Sequence, residues 1–329
     1  MKKQSIIAMA LILTLLTGCF KNYDEVDVSV ADVSETTSGS VSDTVDTSVG
    51  GDPTEGSINP SGDSILAPVE LDAWKMTTET ENANQQKIIF EKEGNKFVGR
   101  LVLPEGASEK LPTVVLLDFN PSFPNSFAFN KGTVEGITTN GMACLFIEAF
   151  GSGDSTGTYE SLSFDSVNEM LTVVFGNMDK IAGVDSSNAV LWVNSQAQLF
   201  ALYAMQDKSD RVKAIFIPGA YFTDGASIRE VYPDKEKIPR DGAYDFYVDQ
   251  MYDIDAKDFF PNVSCKVYAI IPEIEDNDSI DFFNQYMNYF SDKVFEQAGK
   301  NTDFEKGVYK GQGVIFDKIL EDLKTVFGI

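Results

Sequence analysis

From about Ile65 to the C terminus, short runs of β-branched and apolar residues alternate with longer stretches whose apolar positions recur at helical spacing. The strand candidates are KIIFEK, FVGRLVLP, TVVLLDF, ACLFIEAF, AVLWVNS, KAIFIPGAY and KVYAIIPE, with a weaker eighth from Phe304 to Tyr309. Helices are predicted over Phe164 to Ile181, Gln196 to Met205 and Gly313 to Phe327. In the last of these, Val314, Ile315, Ile319, Leu320, Leu323 and Phe327 fall near the 3.6-residue spacing of one helix face. Strands alternating with helices predict an α/β fold, a mostly parallel, doubly wound sheet of about eight strands covered by helices. Between about 221 and 262 the pattern breaks into sequence rich in Gly, Pro, Tyr and Asp, too long for a simple connection. Long insertions of this kind are lids or binding loops, so a cap insertion is expected there.

The first 64 residues do not share the pattern. Lys2 and Lys3 precede an apolar core from Ser5 to Leu16, too short to span a bilayer permanently, and this reads as a signal peptide over residues 1–18. The end of that segment, Leu16-Thr17-Gly18-Cys19, resembles the lipobox of bacterial lipoproteins. The resemblance implies that Cys19 becomes the lipidated first residue of the mature chain, and two or three acyl chains give stable anchoring where one is marginal. Residues 19–64 are dominated by Asp, Glu, Ser, Thr, Gly and Val. They cannot bury enough surface to order themselves and are expected to form a self-repelling, flexible tether. The folded domain is then 65–329, held on the extracytoplasmic side of the cell membrane.

A formal net charge of −25 repels phosphate backbones, so nucleic acid is excluded as a partner class. Apolar residues make up 43% of the chain, enough for one large packed core. Besides Cys19, the cysteines Cys144 and Cys265 lie in apolar strand-like runs, where thiols act as small hydrophobes rather than as a disulfide framework. The chain contains no histidine, which removes the usual general base and the usual neutral metal ligand together. The acidic run Glu273, Glu275, Asp276, Asp278 and Asp281 lacks the glycine and terminal glutamate of an EF-hand loop and is expected to be a solvated loop. Neither a metal nor an organic cofactor is expected.

The order FVGRLVLPEG, LPTVVLLDF, AFGSGDSTG, AVLWVNSQA, KAIFIPGAY, KVYAIIPEIED, GQGVIF resembles the α/β-hydrolase superfamily from about Phe97 to Ile329. The best-matched piece runs from Gly151 to Gly157, similar to the family's G-x-G-x-S-x-G stretch after its fourth strand. The resemblance puts Ser195, in Val193-Asn194-Ser195-Gln196-Ala197, at the nucleophile elbow. Asp276 falls at the acid position, and Gln312, between Gly311 and Gly313, falls where the family carries its histidine. Gln196 and Phe119 fall in the oxyanion-hole region. Three departures matter. Val193 puts a β-branched side chain where the elbow wants a small one, which predicts a relaxed turn or a filled pocket. Asp118 puts a carboxylate where many relatives open the oxyanion hole with His-Gly, and Gln312 cannot take a proton near neutral pH.

Three readings follow. The first is a non-catalytic binding or accessory module that keeps the fold and takes a small molecule, a glycan or a peptide. The alternative is a serine ester or acyl hydrolase using Ser195 with a base other than histidine. The third is a structural protein in which the aromatics of Asn120 to Phe129 and of the cap, among them Tyr232 and Tyr252, only pack the cap onto the sheet.

Overall fold

The computed structural model describes residues 69–119, 125–220, 224–238, 245–273 and 277–329. Cys19, the tether and Asp276 lie outside the described residues.

One sheet organises the domain. Its strands are β1 (Lys75–Asn82), β2 (Gln85–Lys92), β3 (Asn95–Val102), β4 (Leu111–Phe119), β5 (Ala143–Glu148), β6 (Val184–Ser195), β7 (Ala214–Phe216), β8 (Lys266–Ile271) and β9 (Lys293–Gln297). They lie in the order β1-β2-β3-β5-β4-β6-β7-β8-β9. The pairs among β1, β2, β3 and β5 are antiparallel, and every pair from β5 and β4 onward is parallel. The described helices are α1 (Ser126–Phe129), α2 (Lys131–Thr139), α3 (Phe164–Asn177), α4 (Ala197–Met205), α5 (Gly225–Val231), α6 (Asp245–Met251), α7 (Asn277–Met287), α8 (Asn301–Val308) and α9 (Val314–Phe327).

Burial on both faces explains why the parallel strands read as continuous apolar runs. Successive residues sort to opposite faces: Val115, Leu117, Leu191 and Val193 join α3, α4 and α7 in one core. Val114, Leu116, Val190 and Trp192 join α2, α8 and α9 in the other. Helix α4 is buried nearly all round, which is why its sequence, AQLFALYAM, shows no amphipathic stripe. Helix α3 starts at a capping box in which Ser163 and Ser166 exchange hydrogen bonds with each other's backbone.

Two strands differ from the sequence reading. Phe304 to Tyr309 is not a strand: most of it belongs to helix α8, where Phe304 and Val308, four residues apart, share one buried face. The last strand is instead Lys293–Gln297, an edge strand of partial burial with too weak an apolar signal to be picked out. At the other edge, β1 is exposed along nearly its whole length and forms only a hairpin partner for β2, so its sequence, KMTTETEN, carries no hydrophobic alternation.

Between β7 and β8 the described residues make no strand. They form α5, α6 and short 3₁₀ turns bolted to the rest of the domain. Asp224 caps α5 through Ser227 N–H (3.0 Å), accepts from Ala256 N–H (2.9 Å) and accepts from Tyr286 Oη on α7 (2.8 Å). Tyr252 is buried, donating its hydroxyl to the Pro233 carbonyl (2.9 Å), so this cap tyrosine is a packing residue. Phe127 likewise packs edge-on against Phe146 of β5.

Candidate functional site

Strand β6 runs straight into α4, and the joint is Ser195, whose φ of +52° lies in the left-handed region that non-glycine residues rarely adopt. A strand that ends in one left-handed residue and continues as a helix turns that residue's side chain out above the sheet. The turn is therefore a true elbow and has not relaxed. The Val193 side chain is accommodated by full burial in the core below α4 rather than by opening the turn.

The local hydrogen bonding of Ser195 is unlike that of an activated serine. Its hydroxyl donates to the side-chain carbonyl Oε1 of Gln196, the next residue. An amide oxygen accepts that bond but has no basicity with which to take the proton. Gln196 itself is buried at the start of α4. Phe119 closes β4 directly opposite Ser195 in the parallel register, and its ring lies 5.9 Å from that of Phe200 in the core. What Phe119 can offer the site is backbone.

Gln312 is exposed; its backbone N–H donates to the Lys306 carbonyl (3.0 Å), and among the described residues no hydrogen bond links it to Ser195. The structure thus brings Ser195, Gln196 and Phe119 together and leaves Gln312 without a bond to them, while Asp276 lies outside the described residues. No group of three or more Cys, Asp or Glu among the described residues is arranged to hold a metal ion.

The elbow makes a prediction of its own. Ser195→Val, which puts a β-branched side chain at φ +52°, is expected to cost about 2 kcal/mol. Ser195→Gly should be neutral or stabilising by up to about 1 kcal/mol, because glycine adopts this φ without strain. Urea titration of the two variants checks this, and equal losses in both would show that the serine is unstrained.

Beneath the elbow lies a floor that sequence reasoning saw only in part. Asp118 and Asn194 are register partners on β4 and β6 and point to the same face. Trp192 Nε1–H donates to Asn194 Oδ1 (2.6 Å), Asn194 Nδ2 donates to Asn130 Oδ1 (3.1 Å), and Asn130 Nδ2 donates to Asp118 Oδ2 (2.8 Å) and to the Ser126 carbonyl (2.9 Å). All four side chains are buried, and Asp118 Oδ1 has no hydrogen-bond partner among the described residues. Burial pushes the Asp118 carboxyl up to about 6, against the opposing pull of hydrogen bonds from Asn130 and the Phe119 backbone. Asp118 and Asn194 were visible as polar residues ending apolar strands. Asn130 gave no signal, since only the packing of the α1–α2 junction brings it under β4 and β6.

The glycine-rich stretch after β5 is a scaffold. Ser155 Oγ donates to the Glu148 carbonyl (2.7 Å) and accepts from Val98 N–H (3.0 Å), and Thr156 pairs with Lys96 of β3 in both directions. Gly153, at φ +54°, lies against the Glu148 carboxylate so closely that a Cβ there would fall 2.3 Å from Glu148 Cδ. Glu148 is fully buried and pairs with Arg100 Nε (2.7 Å), while Arg100 also reaches Glu81 and Asp154 (each 2.7 Å).

Solved structures share this architecture. Est1E from Butyrivibrio proteoclasticus, with ferulic acid bound, superposes with a TM-score of 0.53 at 17% identity, over 72% of this chain and 96% of its own. Acetyl xylan esterase 1 from Thermoanaerobacterium sp. JW/SL YS485 gives 0.51 at 12% identity, over 78% and 91%. DcsB in complex with its substrate analogue gives 0.52 at 14% identity, over 78% and 98%. A scan against protein-family models and a search of curated proteins found no match. The fold is α/β-hydrolase-like.

Proposed function

We propose that the chain is an extracytoplasmic lipoprotein, anchored through Cys19, whose α/β-hydrolase-like domain uses the Ser195 end of its sheet to bind a ligand without hydrolysing it. The observation that carries this reading is the Ser195 hydroxyl held by the amide oxygen of Gln196 in a chain that has no histidine. A serine hydroxyl is a weak nucleophile until a base removes its proton, and that transfer is worth about 10²–10⁴-fold in rate. The likeness to esterases lies below the identity at which activity carries over, so the chemistry is judged from the site.

A second reading, an ester or acyl hydrolase using a non-histidine base, is favoured by the elbow itself, because Ser195 keeps the left-handed backbone of a presented nucleophile. One experiment separates the two. Full-length protein in membrane vesicles is treated with a fluorophosphonate probe and with p-nitrophenyl acetate, beside Ser195→Ala. No labelling and equal turnover in both proteins are expected; labelling and turnover lost in Ser195→Ala would establish the hydrolase. Cys19→Ser in the same preparation is expected to abolish incorporation of radiolabelled palmitate, and incorporation that persists would refute the anchor.

A further inference from the structure

The buried side chains under the elbow form a chain with a single possible direction. It begins at an indole N–H, which can only donate, and ends at a carboxyl group that, when ionised, can only accept. The indole fixes Asn194 with its oxygen toward Trp192 and its NH₂ toward Asn130. Asn130 is fixed in turn with its NH₂ toward Asp118 and the Ser126 carbonyl. Neither asparagine can flip without setting donor against donor. Asn194 is the residue immediately before Ser195, so the chain holds the last turn of backbone before the elbow.

We propose that Asp118 is a positioning residue for the site: through Asn130 and Asn194 it holds the strand that presents Ser195, and proton uptake by Asp118 alters the geometry of the elbow. The inference rests on reading the Ser195 end of the sheet as the ligand site and is independent of whether Ser195 reacts. An ionised carboxylate makes a charge-assisted bond to Asn130, and protonation weakens it and passes the change along a chain whose members polarise one another. The unpartnered Oδ1 gives the proton a place to sit without breaking the Asn130 bond outright.

Few other charges face Asp118. Among the described residues, β5 brings Glu148, already committed to Arg100 of β3 and to Asp154 N–H (2.9 Å). Helix α2 brings Lys131 and Glu135, exposed and paired with each other at 3.6 Å. Strand β6 brings Asp185 only at its far end, and on the face that Asp118 shares with α8 and α9, Lys318 of α9 is committed to Glu296 (2.9 Å) and Asp322 (3.0 Å). No charged neighbour contributes to the upward shift of Asp118, which comes from burial.

The chain has two tryptophans, Trp74 and Trp192, so the test can be read directly. In ¹⁵N spectra of the full chain, the Trp192 indole and the Gln196 backbone amide are expected to shift together in one step near pH 6. In Asp118→Asn both steps are lost. Trp74, whose indole donates to Glu169 (3.0 Å) away from this chain, behaves identically in the two proteins. Should Asp118→Asn fail to fold, Asn130→Ser, which cuts the chain between Asp118 and Asn194, carries the same expectation. A Trp192 signal flat across the range, a step that survives either substitution, or a Gln196 amide that does not follow Trp192 overturns the proposal. The probe experiment above can fail without touching this one, since it reads reactivity and this reads geometry.

Discussion

Arg100→Met is expected to destabilise the fold by about 3–5 kcal/mol, because it strips the partner from a fully buried carboxylate. Among the described residues, Glu148 would keep the hydrogen bond from Asp154 N–H (2.9 Å) and lose its one ion pair. The substitution also releases Glu81 and part of the hold on Asp154, although Lys87 still reaches Asp154 at 2.7 Å. Exposed pairs of that kind contribute little, so most of the loss belongs to Glu148. If that is the cause, the double variant Arg100→Met/Glu148→Leu, which removes the orphaned charge as well, should recover more than half of the loss. Urea denaturation of both variants at neutral pH decides it. A single variant within about 1 kcal/mol of wild type would mean that water reaches Glu148.

Asp118→Asn should change how stability depends on pH. The Asp118 carboxyl ionises near 6 in the folded protein, against an ordinary value of 3.8. As pH rises from about 4 to about 6, the unfolded chain releases this proton before the folded one does, so folding becomes less favourable across that window and the loss is complete above it. Two units of difference correspond to about 3 kcal/mol. Asparagine fills the same volume, accepts from Asn130 through its carbonyl and never ionises. The stability of Asp118→Asn relative to wild type should therefore rise by about 2–3 kcal/mol between about pH 4 and about pH 8. Any fixed cost of burying the new amide is the same at both ends of the range. Urea midpoints across the range provide the measurement, and parallel pH profiles for the two proteins would mean that Asp118 is already neutral, or already solvated, throughout.

How far the sequence reached can be followed residue by residue. The parallel strands β4, β5 and β8 and the Ala189–Val193 run of β6 were legible because each is buried on both faces and so is apolar at nearly every position. Edge strands escape the same logic. Exposed β1 has no core to demand a pattern, and half-buried β9 was passed over in favour of Phe304 to Tyr309, whose apolar residues fit a helix equally well. The elbow was found at Ser195 from its place between a strand and an apolar helix. Of the two outcomes expected of Val193, the relaxed turn did not occur, because whether Val193 forces the turn open depends on the space beneath α4, which no local rule reports.

By itself, then, the sequence determined the class of fold, the position of Ser195 at a strand-to-helix joint and the absence of histidine, since all three are properties of residue type and order along the chain. Only the tertiary structure decided that Ser195 sits at a left-handed φ, that the amide oxygen of Gln196 rather than a base accepts its hydrogen bond, and that Asp118, Asn130, Asn194 and Trp192 form one buried chain. Those facts depend on groups as far apart in sequence as Asn130 and Asn194 being brought within hydrogen-bond distance in a buried space. There, burial shifts the protonation of a carboxylate, and an amide must face one way only.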